Sequence, residues 1–389
     1  MNQNKRFRQS RDGYTFDENE NSWHISKDIT INFSQAVLDI DHKTLEGFKK
    51  TLATYAEKYS SYHTFNMHRR FQEFVISTKS NIIDTSVIIN WKATLGKERE
   101  WHLGTLKGFL LSWHEYGYSG VDKSVVSLLE SFTLSGNEKG KSVLMRCPYT
   151  GAFTENEILA LMAELARLWR EDLISFETYV YIHLLQSTAR RPIQIRHLKF
   201  EDLRKEISQG TWNYFLHIPS AKKRGGLFRE TIKKLAITED LYLILLNFIE
   251  YQYKKLLSLV DETFISGYKM KLPMFIDWNC LKMNLKNRNF DLSLLNKGIF
   301  HYSASSLELH SLRKFCIHQK AISERTGEII HVTARRFRHT RGTNLGRKGV
   351  GAAIIAELLD HTDTQNVKVY TENTADTVQY IDRVMGAEM

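Results

Sequence analysis

The sequence has few of the residues that interrupt or cross-link a chain. Four prolines in 389 residues exclude Pro-rich spacers and permit long helices. The three cysteines, Cys147, Cys280 and Cys316, stand far apart with no CxxC pair. That disfavours a disulfide scaffold or a cysteine zinc site and fits a reducing compartment. No apolar run reaches the roughly 18 residues needed to span a membrane. The opening residues, MNQNKRFRQSRDGY, are polar and lack the apolar core of a secretion signal. A cytoplasmic protein without a membrane partner is expected.

What is present is ordinary globular material with a basic excess. Hydrophobic residues make up 42% and charged residues 25%, and the formal net charge is +10. That sign suits a polyanion such as nucleic acid. Many basic proteins bind none, so the charge needs a site to give it meaning.

The pattern along the chain predicts three parts. Residues 1–40 are polar and mixed, with one or two strands over 23–33, and form either an extension that could act as a DNA-binding arm or a covering strand. Residues 41–140 are helical and aromatic, with Met67, Phe71, Phe74 and Val75 at helical spacing. A Gly/Ser/Lys-rich linker covers 134–142, and a second domain runs over 148–389. Thr154 and Glu157 predict a capping box, followed by an apolar face of Ile158, Leu161, Met162 and Leu165. Strands are expected over 211–218 and 228–237, with the basic loop PSAKKRGGL between them. Helices are expected over 239–260, 306–323 and 333–347. A further helix buries Ile354, Ile355, Leu358 and Leu359, and a short amphipathic one covers 374–385.

Four segments carry the chemistry: Thr188-Ala189-Arg190-Arg191 with Leu198 and Asp202, Lys222-Lys223-Arg224, Arg335-Arg336-Phe337-Arg338-His339-Thr340, and Leu359-Asp360-His361 with Tyr370 nine residues after the histidine. In this order and spacing they resemble the catalytic domain of the tyrosine recombinases, the phage-integrase family. The resemblance covers residues 150–375. It implies a mainly helical α+β fold with a small antiparallel sheet, preceded by a helical core-binding domain. In the family's first box, T-G-x-R-x-x-E, Arg191 takes the arginine position. In H-x-x-R-H-T, Arg338 takes the second arginine. In L-G-H with a following tyrosine, His361 and Tyr370 match. The hairpin lysine falls at Lys222, or less favourably Lys223. Four positions depart from the pattern. Arg335 replaces histidine, Gln194 an acidic residue, and Ala189 and Asp360 two glycines. Arginine stays protonated, so Arg335 can bind phosphate but cannot act as a base.

The implied reaction is site-specific DNA recombination or integration. Tyr370 forms a 3′-phosphotyrosyl link, a 5′-hydroxyl is freed, and strand exchange passes through a Holliday junction. This chemistry suits the residues. A covalent link conserves the energy of the phosphodiester. Paired arginines hold the charge that develops on the non-bridging oxygens, and a loop lysine can protonate the leaving oxygen. Arg191, Lys222, Arg335, Arg338, His361 and Tyr370 are thus the expected catalytic set. Lys223, Arg224, Arg336 and His339 are expected DNA contacts, with Lys92, Lys97, Arg99, His102 and Lys107 from the N-terminal helices. Arg190 is expected at the surface or on the DNA backbone. Tyr380 is the nearest rival to Tyr370, but its context reads as packing. No metal and no cofactor is implied. The partners implied are double-stranded DNA and three further copies of the chain on two sites, joined by a tether at 374–389. A relaxing enzyme of the type IB topoisomerase kind, or an inactive DNA-binding regulator of the same fold, are the alternatives. Arg335 and Gln194 give the latter its weight.

Overall fold

The computed structural model describes residues 5–134, 140–221, 229–287, 293–296, 298–303, 305–361 and 367–371. The chain is mainly helical with small antiparallel sheets and divides into two compact units, Met1–Glu138 and Lys139–Met389. Lys222, Lys223, Arg224, Tyr380 and the tether at 374–389 lie outside the described residues.

The first unit opens with two hairpins, β1 (Phe7–Gln9) with β2 (Thr15–Asp17) and β3 (Ser22–Ser26) with β4 (Ile29–Asn32). Helices follow: α1 (Gln35–Leu38), α2 (His42–Lys58), α3 (Ser61–Thr78), α4 (Thr85–Glu115, broken at Gly96) and α5 (Lys123–Ser131). Side chains of Asp41, Ser60 and Asp84 cap α2, α3 and α4, each satisfying an otherwise orphaned N–H. The core is aromatic: Phe48 stacks on Phe71 with ring centroids 3.9 Å apart and meets Phe109 and Trp113. Trp23, Ile25, Ile31 and Phe33 belong to the same core. Residues 15–33 are therefore integral to this unit and not a free arm.

The second unit begins with α6 (Lys141–Leu144) and α7 (Glu155–Arg170), the latter with the expected Thr154–Glu157 capping box. The apolar α8 (Phe176–Thr188) runs through the core. α9 (Pro192–Arg196) follows, its proline at a first-turn position where a missing N–H costs nothing. Strands β5 (Leu203–Ser208), β6 (Thr211–Pro219) and β7 (Ile232–Ile237) form an antiparallel sheet in sequence order. Gln209 and Gly210, both at positive φ, make the two-residue turn between β5 and β6. β5 was not anticipated, because its residues Arg204, Lys205 and Glu206 are exposed and leave no apolar alternation.

The chain continues through α10 (Glu239–Leu257), α11 (Glu262–Ile265), α12 (Trp278–Lys286) and α13 (Ser293–Asn296) to α14 (Arg313–His318). A π-helical stretch, Glu308–Leu312, precedes α14. The helix expected to reach 323 stops at His318, where Gln319 turns extended and its side chain bonds the carbonyl of Ile330. The last described elements are α15 (Ala334–Arg347), α16 (Ala352–Leu358) and α17 (Lys368–Thr371). Ile355 and Leu359 are buried as expected, but Ile354 is 58% exposed. The seven-residue α16 presents a narrower apolar stripe than the sequence pattern suggests. No described helix is long and apolar enough to cross a membrane.

Candidate active site

Three helix ends and one polar helix converge in the second unit. α8 ends at Ala189 and α16 ends near Asp360, both in the left-handed conformation at φ 51°. These are the two positions where the resembled family usually has glycine. A left-handed residue with a Cβ costs about 1–2 kcal/mol, and packing holds both in place. Ala189 is buried against Ile355, Ala356, Leu359 and Val367.

The turn at Ala189 releases Arg191 as the N-cap of α9. Arg191 Nη1 donates to the Asp360 carbonyl at 3.0 Å. Arg338, on α15, is 9% exposed and donates from Nη1 to the Ala189 carbonyl at 3.1 Å and from Nη2 to the Leu359 carbonyl. The two arginines thus take up carbonyls that the helix ends leave without partners, and are fixed in return. Burial, together with nearby Arg191 and Arg190, pulls Arg338 down to about 9, so it keeps its charge at neutral pH. Burial also lowers Arg191, partly offset by Asp360 and Tyr370.

Arg190 corrects the sequence reading. It is 3% exposed, not a surface residue, and its Nε and Nη1 have no hydrogen-bond partner among the described residues. Burial lowers its pKa, opposed by Asp360 and Glu357. Glu357 is largely exposed, so three arginines gather round one buried carboxylate, Asp360. Such an excess of confined positive charge calls for an anion.

Tyr370 sits on α17, which packs on α15 and α16. Its ring lies against Gly342, where a Cβ would come within 2.7 Å of Tyr370 Cζ. At Gly346 a Cβ would fall 1.8 Å from the Tyr370 carbonyl oxygen. With His339 these glycines lie at i, i+3 and i+7, one face of α15. His339 Nδ1 is 2.9 Å from Tyr370 Oη. Burial, with Arg335, Arg338 and Arg336 nearby, lowers His339 to about 4. A neutral imidazole protonated at Nε2 accepts the phenol proton at Nδ1. Burial raises the Tyr370 phenol, and Arg338, Arg335 and Arg191 pull it back. Arg335 is exposed in the first turn of α15 and acts on both groups through space. His361 follows Asp360 half-buried, its N–H donating to the Ala356 carbonyl at 2.8 Å.

Arg336 is a second correction. It is fully buried, its guanidinium lies over the Phe153 ring at 3.9 Å, and it bonds Glu157 at 3.2 Å and the Gly151 carbonyl at 3.0 Å. It locks the start of α15 to that of α7 and is unavailable to DNA. In the first unit Lys97 and Arg99 are exposed. Lys92 pairs with Glu100 at 3.4 Å, Lys107 donates to the Phe132 carbonyl at 3.3 Å, and His102 bonds Glu73 at 2.8 Å. Among the described residues no group of side chains is arranged to hold a metal.

The sequence reading missed three features: His339 beside the nucleophile, the two glycines that seat it, and the carboxylate of Asp360. The glycine pair had a signal, because small residues four apart on a polar helix mark a close approach. The other two had none that spacing could supply.

No protein-family model and no curated protein matches the chain. Among solved structures it is similar to XerA recombinase, at 15% identity and TM-score 0.33, over 88% of this chain and 98% of that one. It is also similar to a lambda integrase dimer bound to a core site, at 11% identity and TM-score 0.47, over 84% and 94%. A third is the Tn1549 transposon integrase in complex with transposon right end DNA, at 12% identity and TM-score 0.40, over 90% and 95%.

Proposed function

We propose that the chain is a DNA strand transferase of the tyrosine recombinase type, cutting and rejoining DNA through Tyr370. The observation that carries this reading is the grouping of a half-buried phenol, a neutral imidazole 2.9 Å from its oxygen, and arginines held by backbone carbonyls beside it. A phosphodiester placed there meets fixed cations and a nucleophile whose proton has an acceptor.

In this reading the Tyr370 oxygen attacks phosphorus, its proton passes to His339 Nδ1, and the bond to the 5′-oxygen breaks. Arg191 and Arg338 bind the non-bridging oxygens, with His361 and Arg335 as further donors. Lys222 protonates the leaving oxygen. The product is a 3′-phosphotyrosyl link and a free 5′-hydroxyl, and attack by a partner strand's 5′-hydroxyl reverses each change. Preorganised donors of this kind are worth about 3–4 kcal/mol each. Double-stranded DNA is the partner, with Lys223, Arg224, Lys97 and Arg99 as backbone contacts. Four protomers on two sites would pass strands through a Holliday junction.

The test is a nicked suicide duplex made from the DNA flanking the chain's own gene. The wild type should become covalently attached through Tyr370. Tyr370→Phe should bind with similar affinity and form no adduct. Absence of any wild-type adduct on duplexes that it binds would sink the reading in favour of a binding protein.

A further inference from the structure

The Asp360 carboxylate is the most heavily used polar group near the pocket. It is 5% exposed. Oδ2 accepts from Gln194 Nε2 at 3.0 Å and from the Ala221 N–H at 3.2 Å, and Oδ1 accepts from Ser220 Oγ at 3.2 Å. Lys233 Nζ is 3.4 Å from Oδ1, and Arg191 Nη1 is 3.8 Å from Oδ2. The donors come from α9, from the end of β6 and from β7. The carboxylate thus ties both strands of the hairpin to the turn that carries Arg191.

Gln194 cannot substitute for it. Its Oε1 already accepts from the Arg191 N–H at 3.1 Å, and its Nε2 also donates to the Pro219 carbonyl at 2.9 Å. Asp360 also sits in a left-handed backbone that glycine would occupy without strain. Strain tolerated at a buried, fully engaged carboxylate indicates that the carboxylate itself is needed.

Resting on the strand-transferase reading, we propose that Asp360 is a positioning residue for phosphoryl transfer, its carboxylate holding Arg191 and the β6–β7 hairpin in one register. It touches no substrate. It partly neutralises Arg190 and Arg191, so it opposes ground-state binding of phosphate while fixing the geometry needed for reaction.

The consequence is a split between affinity and rate. Asp360→Gly keeps the backbone carbonyl that accepts from Arg191, and relief of the left-handed strain offsets part of the lost carboxylate contacts; its fold is checked by thermal denaturation beside wild type. On the nicked duplex it should bind as tightly as wild type or more tightly. Its single-turnover adduct rate should fall by about 10–100-fold, the scale of an ångström-sized misplacement. Sodium formate should restore the rate saturably, because the gap left is carboxylate-sized and lined by Gln194 Nε2, Ser220 Oγ, the Ala221 N–H and Lys233. Asp360→Asn should show the same loss without a formate response, since its amide fills the gap. An Asp360→Gly variant that cleaves at the wild-type rate overturns the proposal. So does a parallel loss of affinity and rate that formate does not alter. Wild type forming no adduct at all would instead be a failure of the strand-transferase reading.

Discussion

His339 Nδ1 lies 2.9 Å from Tyr370 Oη, and the two side chains reach each other from helices α15 and α17. An imidazole in this place supplies the proton acceptor that Arg335, at the first position of the box, cannot. General bases contribute about 10²–10⁴-fold. His339→Ala should therefore slow single-turnover adduct formation by that order while leaving duplex affinity within about twofold, because its ring is engaged with the phenol. Loss of affinity with an unchanged rate of adduct formation would return His339 to the DNA contacts.

The pH dependence follows from the same pair. Burial lowers His339 from 6.5 to about 4, so it is an acceptor throughout the neutral range. Burial raises Tyr370, so it is not ionised there. The adduct rate should be nearly flat from pH 6 to 8. A mechanism that needed free tyrosinate would instead rise about tenfold per pH unit. For stability, the folded pKa of His339 is below its unfolded value. The contribution is complete above about 6.5 and is lost as pH falls toward 4. Denaturant titrations at pH 7 and pH 5 should show a smaller acid penalty in His339→Gln than in wild type.

Gly342 and Gly346 separate folding from chemistry. Alanine is favoured over glycine inside a helix by up to about 1 kcal/mol, so Gly342→Ala should leave α15 intact. Its methyl would nevertheless come within 2.7 Å of the Tyr370 ring and displace it. Adduct formation should fall by about 10²-fold or more with a thermal midpoint no lower than wild type. Gly346→Ala, which would press on the Tyr370 backbone, should be more severe. A Gly342→Ala enzyme of normal activity would show that Tyr370 reacts from a different position.

The readable part of the sequence was the part governed by local rules. Thr154 and Glu157 form the capping box that their spacing predicts, and the apolar periodicity of α7, α8 and α10 marks buried helices. Arg191, Arg338, His361 and Tyr370 are ordered along the chain as the resemblance requires, and Arg191 and Arg338 lie close enough to Tyr370 to act on it electrostatically. What could not be read were contacts set by tertiary packing. Arg336 and Arg338 are two residues apart and chemically identical, yet one turns toward Glu157 and the other toward Ala189 and Leu359. Arg190 looks like surface charge in the sequence, yet it is 3% exposed. Asp360 appears in sequence only as a missing glycine. Its hydrogen-bond donors lie 139–166 residues away, beyond the reach of any local pattern.

Two of the arginines of α15, Arg336 and Arg338, give the last prediction. Arg336 pairs with Glu157, and both side chains are fully inaccessible. Removing one partner of such a pair leaves an uncompensated buried charge and costs about 3–5 kcal/mol. Glu157 would keep Arg325 at 2.6 Å, which places Arg336→Ala at the lower end, about 3 kcal/mol. Arg338→Ala removes a charge that forms no ion pair among the described residues, so part of its lost bonding to Ala189 and Leu359 is offset by relief from Arg190 and Arg191. Its main effect should be on the reaction, about 10²–10³-fold in adduct rate. Equilibrium denaturation and single-turnover cleavage on the same two variants should therefore rank them in opposite orders. A stable Arg336→Ala protein with weakened DNA binding and a shallower salt dependence would instead restore Arg336 to the DNA contacts.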